Sequence, residues 1–327
     1  MALSGWGASK LLLFGEHAAV YGYPAVGVAL PDGIRLHVRP DGRAWTFPGI
    51  PGGYVPILNE LLAHVEAVLS HSFDPEAVRS LRGEIRIETT VPPGVGFGSS
   101  AAVCTALARA LLPALTTPDA TSIWQLAHEL EVFFHGSPSG IDTGISNLGG
   151  IQAFSFEGGN LPRATSLRNP DLFLLVGAVP RTHDTKELVG RVKAAREAGS
   201  AEVRQALAAL GRIAEEAIDL LGLTDAPAVV SRIGGHADRA QQRLRELELS
   251  NAHLETVLST AADAGSVGGK LSGAGGGGAF YTVFEDAAAL RRAEAAVRRD
   301  LDRIVDDLPL FSYRVVAGDA ERVTTAA

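Results

Sequence analysis

Three glycine-rich segments and two isolated carboxylates are the parts of this sequence best suited to chemistry. The segment Pro93-Gly94-Val95-Gly96-Phe97-Gly98-Ser99-Ser100-Ala101 falls between an expected strand and an expected helix. Glycines there let the backbone approach a ligand, and successive N–H groups can grip anionic oxygens. The helix start adds its positive dipole end, so the segment has the makings of a phosphate site. Ser99 and Ser100 bring hydroxyls that could cap the helix, bind phosphate or ligate Mg²⁺. A tight turn with a capping serine is the plainer alternative. A second segment runs Lys270-Leu271-Ser272-Gly273-Ala274-Gly275-Gly276-Gly277-Gly278. Its composition suits a linker, but packed elements flank it, and its consecutive glycines carry an entropic cost that the close approach of a ligand or another backbone would explain. The third, Gly15-Glu16-His17, sets polar groups at the end of the apolar run that begins at Lys10.

The carboxylates are Glu131 and Asp142. Ile123, Leu126, Ala127, Leu130, Phe133 and Phe134 recur at helical spacing, and Glu131 falls just beside that stripe, able to point along the core edge. A plain surface glutamate would show the same spacing. Asp142 ends the turn His135-Gly136-Ser137-Pro138-Ser139-Gly140-Ile141-Asp142, which delivers one carboxylate to a fixed place; an Asx turn is the structural alternative. Commoner signatures fail. Gly94, Gly96 and Gly98 alternate too closely for GxGxxG, Ala264 and Leu271 break a Walker A loop around Gly269-Lys270, and His128, Glu129 and His135 do not form HExxH.

The elements that must position these residues follow from periodicity. Strands are expected at Lys10–Phe14, around Ile34–Val38 and Ile85–Ile87, and at Gly149–Phe156, Leu172–Val179, Ala279–Phe284 and Ser312–Ala317. Helices are expected from Ile57 to Leu69 behind Pro56, over Ala101–Leu115, and from a Thr121 or Ser122 cap to Gly136. More follow over Lys186–Leu221 with a break at Gly199–Ser200, then Pro227–Leu249, Ala252–Ala264 and Asp286–Arg303, and about the last six residues of the chain are expected to fray. A chain of 327 residues favours two domains, placed here at 1–168 and 169–327. With 29 basic against 37 acidic residues, the net charge of −8 excludes a general attraction to nucleic acid or anionic lipid. One cysteine, Cys104, excludes a disulfide framework and a cysteine-rich zinc site. No apolar run is long enough to span a bilayer, and the run after Lys10 is too short for a signal-peptide core, so a cytoplasmic protein is expected.

Taken in order, these segments resemble the GHMP kinase superfamily, and within it the branch whose acceptor is mevalonate. Lys10 through Gly15-Glu16-His17-Ala18 to Tyr21-Gly22 is similar to the first motif, Pro93–Ala102 to the second with Phe97 in place of the usual leucine, and Lys270–Gly278 to the third. His135-Gly136, Pro138-Ser139-Gly140-Ile141-Asp142 and the Glu131 spacing match the catalytic loop. The resemblance implies an α+β, two-domain GHMP kinase fold: a ribosomal protein S5 domain 2-like N-terminal domain and a ferredoxin-like C-terminal domain. It implies phosphorylation of (R)-mevalonate by ATP with Mg²⁺, in the route to isoprenoids, and it is compatible with a homodimer. By resemblance, Pro93–Ala101 and Gly273–Gly276 would hold the nucleotide, and Ser100 and Glu131 the metal. Asp142 would deprotonate or orient the acceptor hydroxyl, with Lys10 beside it to stabilise the carboxylate. Glu16, His17, Ser139 and Thr185 would meet the acceptor. The segment Pro180–Val189 looks longer than its counterpart in animal members, which bears on the acceptor. A sister kinase acting on phosphomevalonate, a sugar or homoserine is the alternative, followed by a catalytically dead metabolite sensor.

Overall fold

A computed structural model describes residues 2–167, 171–222, 228–304, 307–316 and 319–323. The elements run β1 (Leu3–Phe14), β2 (Ala25–Pro40), α1 (Val55–Ser70), α2 (Pro75–Ser80), β3 (Gly83–Thr89), α3 (Ser99–Leu111), α4 (Ala120–His135) and α5 (Ile141–Leu148). They continue with β4 (Ile151–Ser155), β5 (Arg163–Leu167), β6 (Leu172–Val179), α6 (Thr185–Glu197), α7 (Ala201–Leu221), α8 (Ala228–Glu246) and α9 (Ala252–Asp263). β7 (Gly268–Leu271), β8 (Gly278–Phe284), α10 (Ala287–Ile304), β9 (Leu310–Val316) and β10 (Asp319–Arg322) complete the order. One sheet has the order β1-β2-β4-β5 with β3 also on β2, and the other the order β10-β9-β6-β8-β7.

The chain divides into two compact units. The first comprises the chain through Lys10, Asp32–Pro92 and Gly98–Gly149. Here β2 and β3 pair antiparallel from Ile34↔Thr89 to Pro40↔Gly83. Ile34, Leu36, Val38 and Ile85 form a core with Leu61, Leu62 and Val65 of α1, Leu107 of α3 and Leu130 of α4. Helix α3 lies hard against β1. A Cβ at Gly5 would sit 2.0 Å from the Ala106 carbonyl, and one at Gly7 only 1.9 Å from that of Ala102. Any larger residue would push the helix off the strand.

The second unit comprises Leu11–Pro31, Pro93–Phe97 and the chain from Gly150. In it β6 is central, antiparallel to β8 on one side and β9 on the other. Helices α8 and α10 pack on this sheet, with Leu290, Val297 and Leu301 buried beneath α10. Phe97 is buried in this unit against Phe311, with ring centres 5.9 Å apart.

Several elements depart from the periodicity reading. β1 starts at Leu3 rather than Lys10, and α5 occupies what reads as a turn and loop. Gly268–Leu271 is a buried strand instead of part of a glycine turn. Helix α4 is capped by Asp119, whose side chain accepts from the Ser122 amide at 2.7 Å. Helix α3 is capped by Gly98, which is left-handed, so Ser99 and Ser100 are its first residues and do not cap it. Thr185 opens α6 behind an Asp184 cap. The expected break at Gly199–Ser200 separates α6 from α7. The 168/169 boundary, Pro227, Ala317 and most of the tail lie outside the described residues.

Candidate active site

In the first unit, the site is built on α5. Gly140 caps this helix with φ +78°, and Asp142 occupies its first turn, where the dipole favours a negative charge. Both ends of α5 are tied down. The Trp124 Nε1 donates to the Gly140 carbonyl at 2.9 Å, and Arg109 donates to the carbonyls of Asn147 at 2.6 Å and Trp6 at 2.9 Å. Arg109 thereby satisfies a carbonyl near the helix C-terminus while bracing β1. Asp142 Oδ2 faces Lys10 Nζ at 2.9 Å, with the lysine side chain 6% and the aspartate 33% exposed. The Lys10 stem crosses Gly98, where a Cβ would come within 2.6 Å of Lys10 Cγ and φ is +73°. A side chain at position 98 would dislodge the lysine.

Glu131 joins them from α4 and is 2% exposed. Its pKa is pushed up to about 8, by burial first and the Asp142 charge second, against the pull of Lys10 and the hydroxyls of Ser100 and Thr143. Its Oε1 has no hydrogen-bond partner among the described residues. The Ser100 Oγ lies 3.1 Å from His135 Nε2, and that ring stands 4.0 Å from Glu131. Lys10, Ser100, Glu131 and Asp142 thus form one cluster, beside the uncapped amides of the α3 N-terminus. Ser139 is adjacent in sequence, and its Oγ accepts from the Ile141 amide at 3.3 Å. Thr143 and His135 were not singled out as site residues by spacing. Thr143 directly follows the aspartate, which is the only signal the sequence offers for it.

In the second unit, the chain around Gly273–Gly278 is framed by two neighbours. Thr182 donates to the Gly276 carbonyl through its amide at 2.7 Å and its hydroxyl at 3.1 Å, and Asn251 Nδ2 adds a third bond at 3.0 Å. Gly275 through Gly278 all have positive φ and meet protein closely: a Cβ at Gly277 would sit 2.2 Å from the Pro180 carbonyl. Gly275 and Gly277 answer to neighbouring backbone, and Gly276 and Gly278 to the side chains of Leu188 and Arg181, whereas Gly273 faces open space. Arg181 donates to the Thr185 hydroxyl at 2.9 Å, and its guanidinium lies 3.1 Å from where a Gly96 Cβ would be. Composition alone did not single out Arg181, the one arginine between Pro180 and Thr185. Gly94 is exposed, and a Cβ there would meet nothing within 4 Å, while the buried Phe97 can offer a ligand only its backbone.

His17 has φ +58° and bonds through Nε2 to the Ala274 carbonyl at 3.0 Å. A carbonyl only accepts, so the ring carries its proton on Nε2 and leaves Nδ1 as an acceptor. Burial lowers the His17 pKa, the Ala274 bond opposes this, and the Lys270 charge lowers it further. Glu16, in contrast, is buried against Lys270.

The family of GHMP kinases N terminal domains matches residues 60–150, and that of GHMP kinases C terminal domains residues 226–303. A mevalonate kinase from Thermococcus sibiricus is 29% identical over 302 residues, 84% of this chain and 87% of that protein. One from Archaeoglobus fulgidus is 30% identical over 294 residues, covering 84% and 90%. The crystal structure of L. major mevalonate kinase in complex with R-mevalonate shares the fold, with TM-score 0.79 at 22% identity over 97% of this chain and 96% of that one. Matched in both domains and along most of its length, the chain that sets Lys10 against Asp142 belongs to the GHMP kinases.

Proposed function

We propose that this kinase transfers the terminal phosphoryl group of ATP to the 5-hydroxyl of (R)-mevalonate. The observation that carries the chemistry is the half-open Lys10–Asp142 pair at the start of α5. Phosphoryl transfer needs positioning and charge neutralisation more than covalent chemistry. The exposed side of the Asp142 carboxylate can orient the acceptor hydroxyl and receive its proton. Lys10 then stabilises the negative charge that develops on the attacking oxygen. The amides of Gly98–Ser100 and of the exposed Gly94 region are suited to the ATP phosphates. His17 Nδ1 can accept from an acceptor hydroxyl, and Arg181 with Thr185 offers a cation for its carboxylate. On this reading residues 1–168 supply the nucleotide groups and 169–327 the Gly273–Gly276 loop.

Mg²⁺ is proposed at Ser100 and Glu131. The buried Glu131 Oε1 without a donor, next to a hydroxyl, is a hard oxygen set that suits this ion. Among the described residues no cluster of three His, Cys, Asp or Glu could hold a metal by itself. That fits an ion sharing its shell with phosphate and water. When bound, it neutralises phosphate charge. Among the described residues no helix is long and apolar enough to cross a membrane.

The choice of acceptor is supported by relatives named mevalonate kinase over 84% of the chain. ADP release by the purified protein, measured with mevalonate, phosphomevalonate, galactose and homoserine, tests it. Mevalonate should give the highest kcat/KM; a faster acceptor would replace it.

A further inference from the structure

The third glycine motif begins with Lys270, whose side chain is 0% exposed and takes no part in the chemistry above. Its ammonium donates to Glu16 and to the Leu271 carbonyl, and it lies 5.5 Å from the centre of the Tyr281 ring. Burial lowers its pKa against the pull of Glu16. The neighbouring side chains point the same way. Ser272 Oγ donates to the Leu12 carbonyl at 2.9 Å and accepts from the Leu12 amide at 3.0 Å. Tyr281 donates to the Leu13 carbonyl at 2.7 Å. Three side chains of the β7–β8 hairpin therefore grip the end of β1 and the turn after it. That turn holds His17 in a left-handed conformation, which costs energy for a residue with a Cβ. It also brings His17 to Ala274, in the loop that follows Lys270.

A fully buried ion pair is a poor way to gain stability, because desolvation offsets the attraction and an apolar pair of similar volume is often as good. What it supplies here is placement: both charges must sit where they do, and so must the turn that carries one of them. We propose that Lys270 is a positioning residue for phosphotransfer, locking Glu16 so that His17, and not Glu16, is presented to the acceptor. The inference rests on the acceptor phosphorylation proposed above.

A double-mutant cycle over Glu16→Gln, Lys270→Met and their combination tests it, with KM measured separately for acceptor and ATP. The cycle uses whichever acceptor in the panel the wild type turns over best, so a failure of mevalonate leaves it readable. Acceptor KM should rise on the order of tenfold to a hundredfold in every variant, as expected when a binding group is displaced by about an ångström. KM for ATP should stay near wild type. The double variant should be no worse than the worse single. If either single fails to fold, the double, with neither charge buried alone, carries the test. Unchanged acceptor KM in all folded variants makes the pair purely structural and overturns the proposal. So does a rise with Glu16→Gln alone, which would make Glu16 a direct contact, and so does additivity. The His17 ring proton gives a readout that needs no acceptor: its titration midpoint, assigned by His17→Gln, should move up in the double variant. An unmoved midpoint would count against the proposal equally.

Discussion

Each compact unit contains a lysine facing a carboxylate, and the two pairs are opposite in design. Lys10 and Asp142 meet at 2.9 Å with a third of the aspartate side chain open. Lys270 and Glu16 are sealed, at 0% and 1% exposure. In the first pair the carboxylate stands on a helix N-terminus and keeps oxygen lone pairs available to an incoming hydroxyl. In the second the charges are closed off from solvent, and the consequence is a fixed backbone. On the roles proposed above, the same two residue types serve chemistry or placement according to how much of the carboxylate is left outside. Residue type and motif membership do not distinguish the two cases; burial does.

Breaking the open pair should have the largest effect. Asp142→Asn and Lys10→Met should each lower kcat by about 10³-fold, within the range usual for a positioned acid–base group, while calorimetry still detects Mg·ATP binding. Turnover at the wild-type rate in either variant would remove that residue from the mechanism. Breaking the sealed pair should cost stability in addition to acceptor binding. Lys270→Met leaves Glu16 buried without its cation, at a cost of about 3–5 kcal/mol, which for a chain of this size lowers Tm by roughly ten degrees. Lys10→Met should cost much less, because water reaches Asp142. Thermal unfolding of the two lysine variants side by side decides the matter, and equal losses would erase the contrast.

The open pair was far more legible in the sequence than the sealed one. The glycines before Ser99 read as a phosphate site on their own chemistry, and the family resemblance sets Lys10, Glu131 and Asp142 beside it. Their local geometry was not legible. α5 is eight residues long with Gly144 inside it, too short for a periodic signal and capped by a glycine rather than a Ser, Thr or Asp. β7 reads Gly-Gly-Lys-Leu, a composition that favours a turn, and only pairing with β8 makes it a strand. The partner of Lys270 lies 254 residues away in sequence, where no local pattern reaches. Helix α3 had the opposite problem. Its serines have the right chemistry for a cap, yet Gly98 takes that place because the Lys10 stem leaves no room for a side chain.

Glu131 extends the comparison to a carboxyl that is sealed but lacks a lysine of its own at contact distance. Its pKa of about 8 stands above the ordinary value of 4.5. Below that ordinary value the folded and unfolded chains both hold the proton, and the site carries no penalty. As pH rises further, the unfolded chain releases its proton while the buried carboxyl keeps it, so stability falls until the folded group ionises near pH 8. Glu131→Gln cannot titrate. Without nucleotide or metal, the wild type should therefore lose more Tm between pH 5 and pH 8 than the variant does, by the equivalent of a few kcal/mol at most. The same substitution should raise the Mg²⁺ concentration needed for half-maximal turnover, since it removes a charged oxygen from the proposed metal site. Parallel Tm profiles would mean that Glu131 is already ionised in the folded protein, its charge balanced by Lys10. The cluster would then be a three-charge version of the open pair rather than an intermediate between the open and the sealed one.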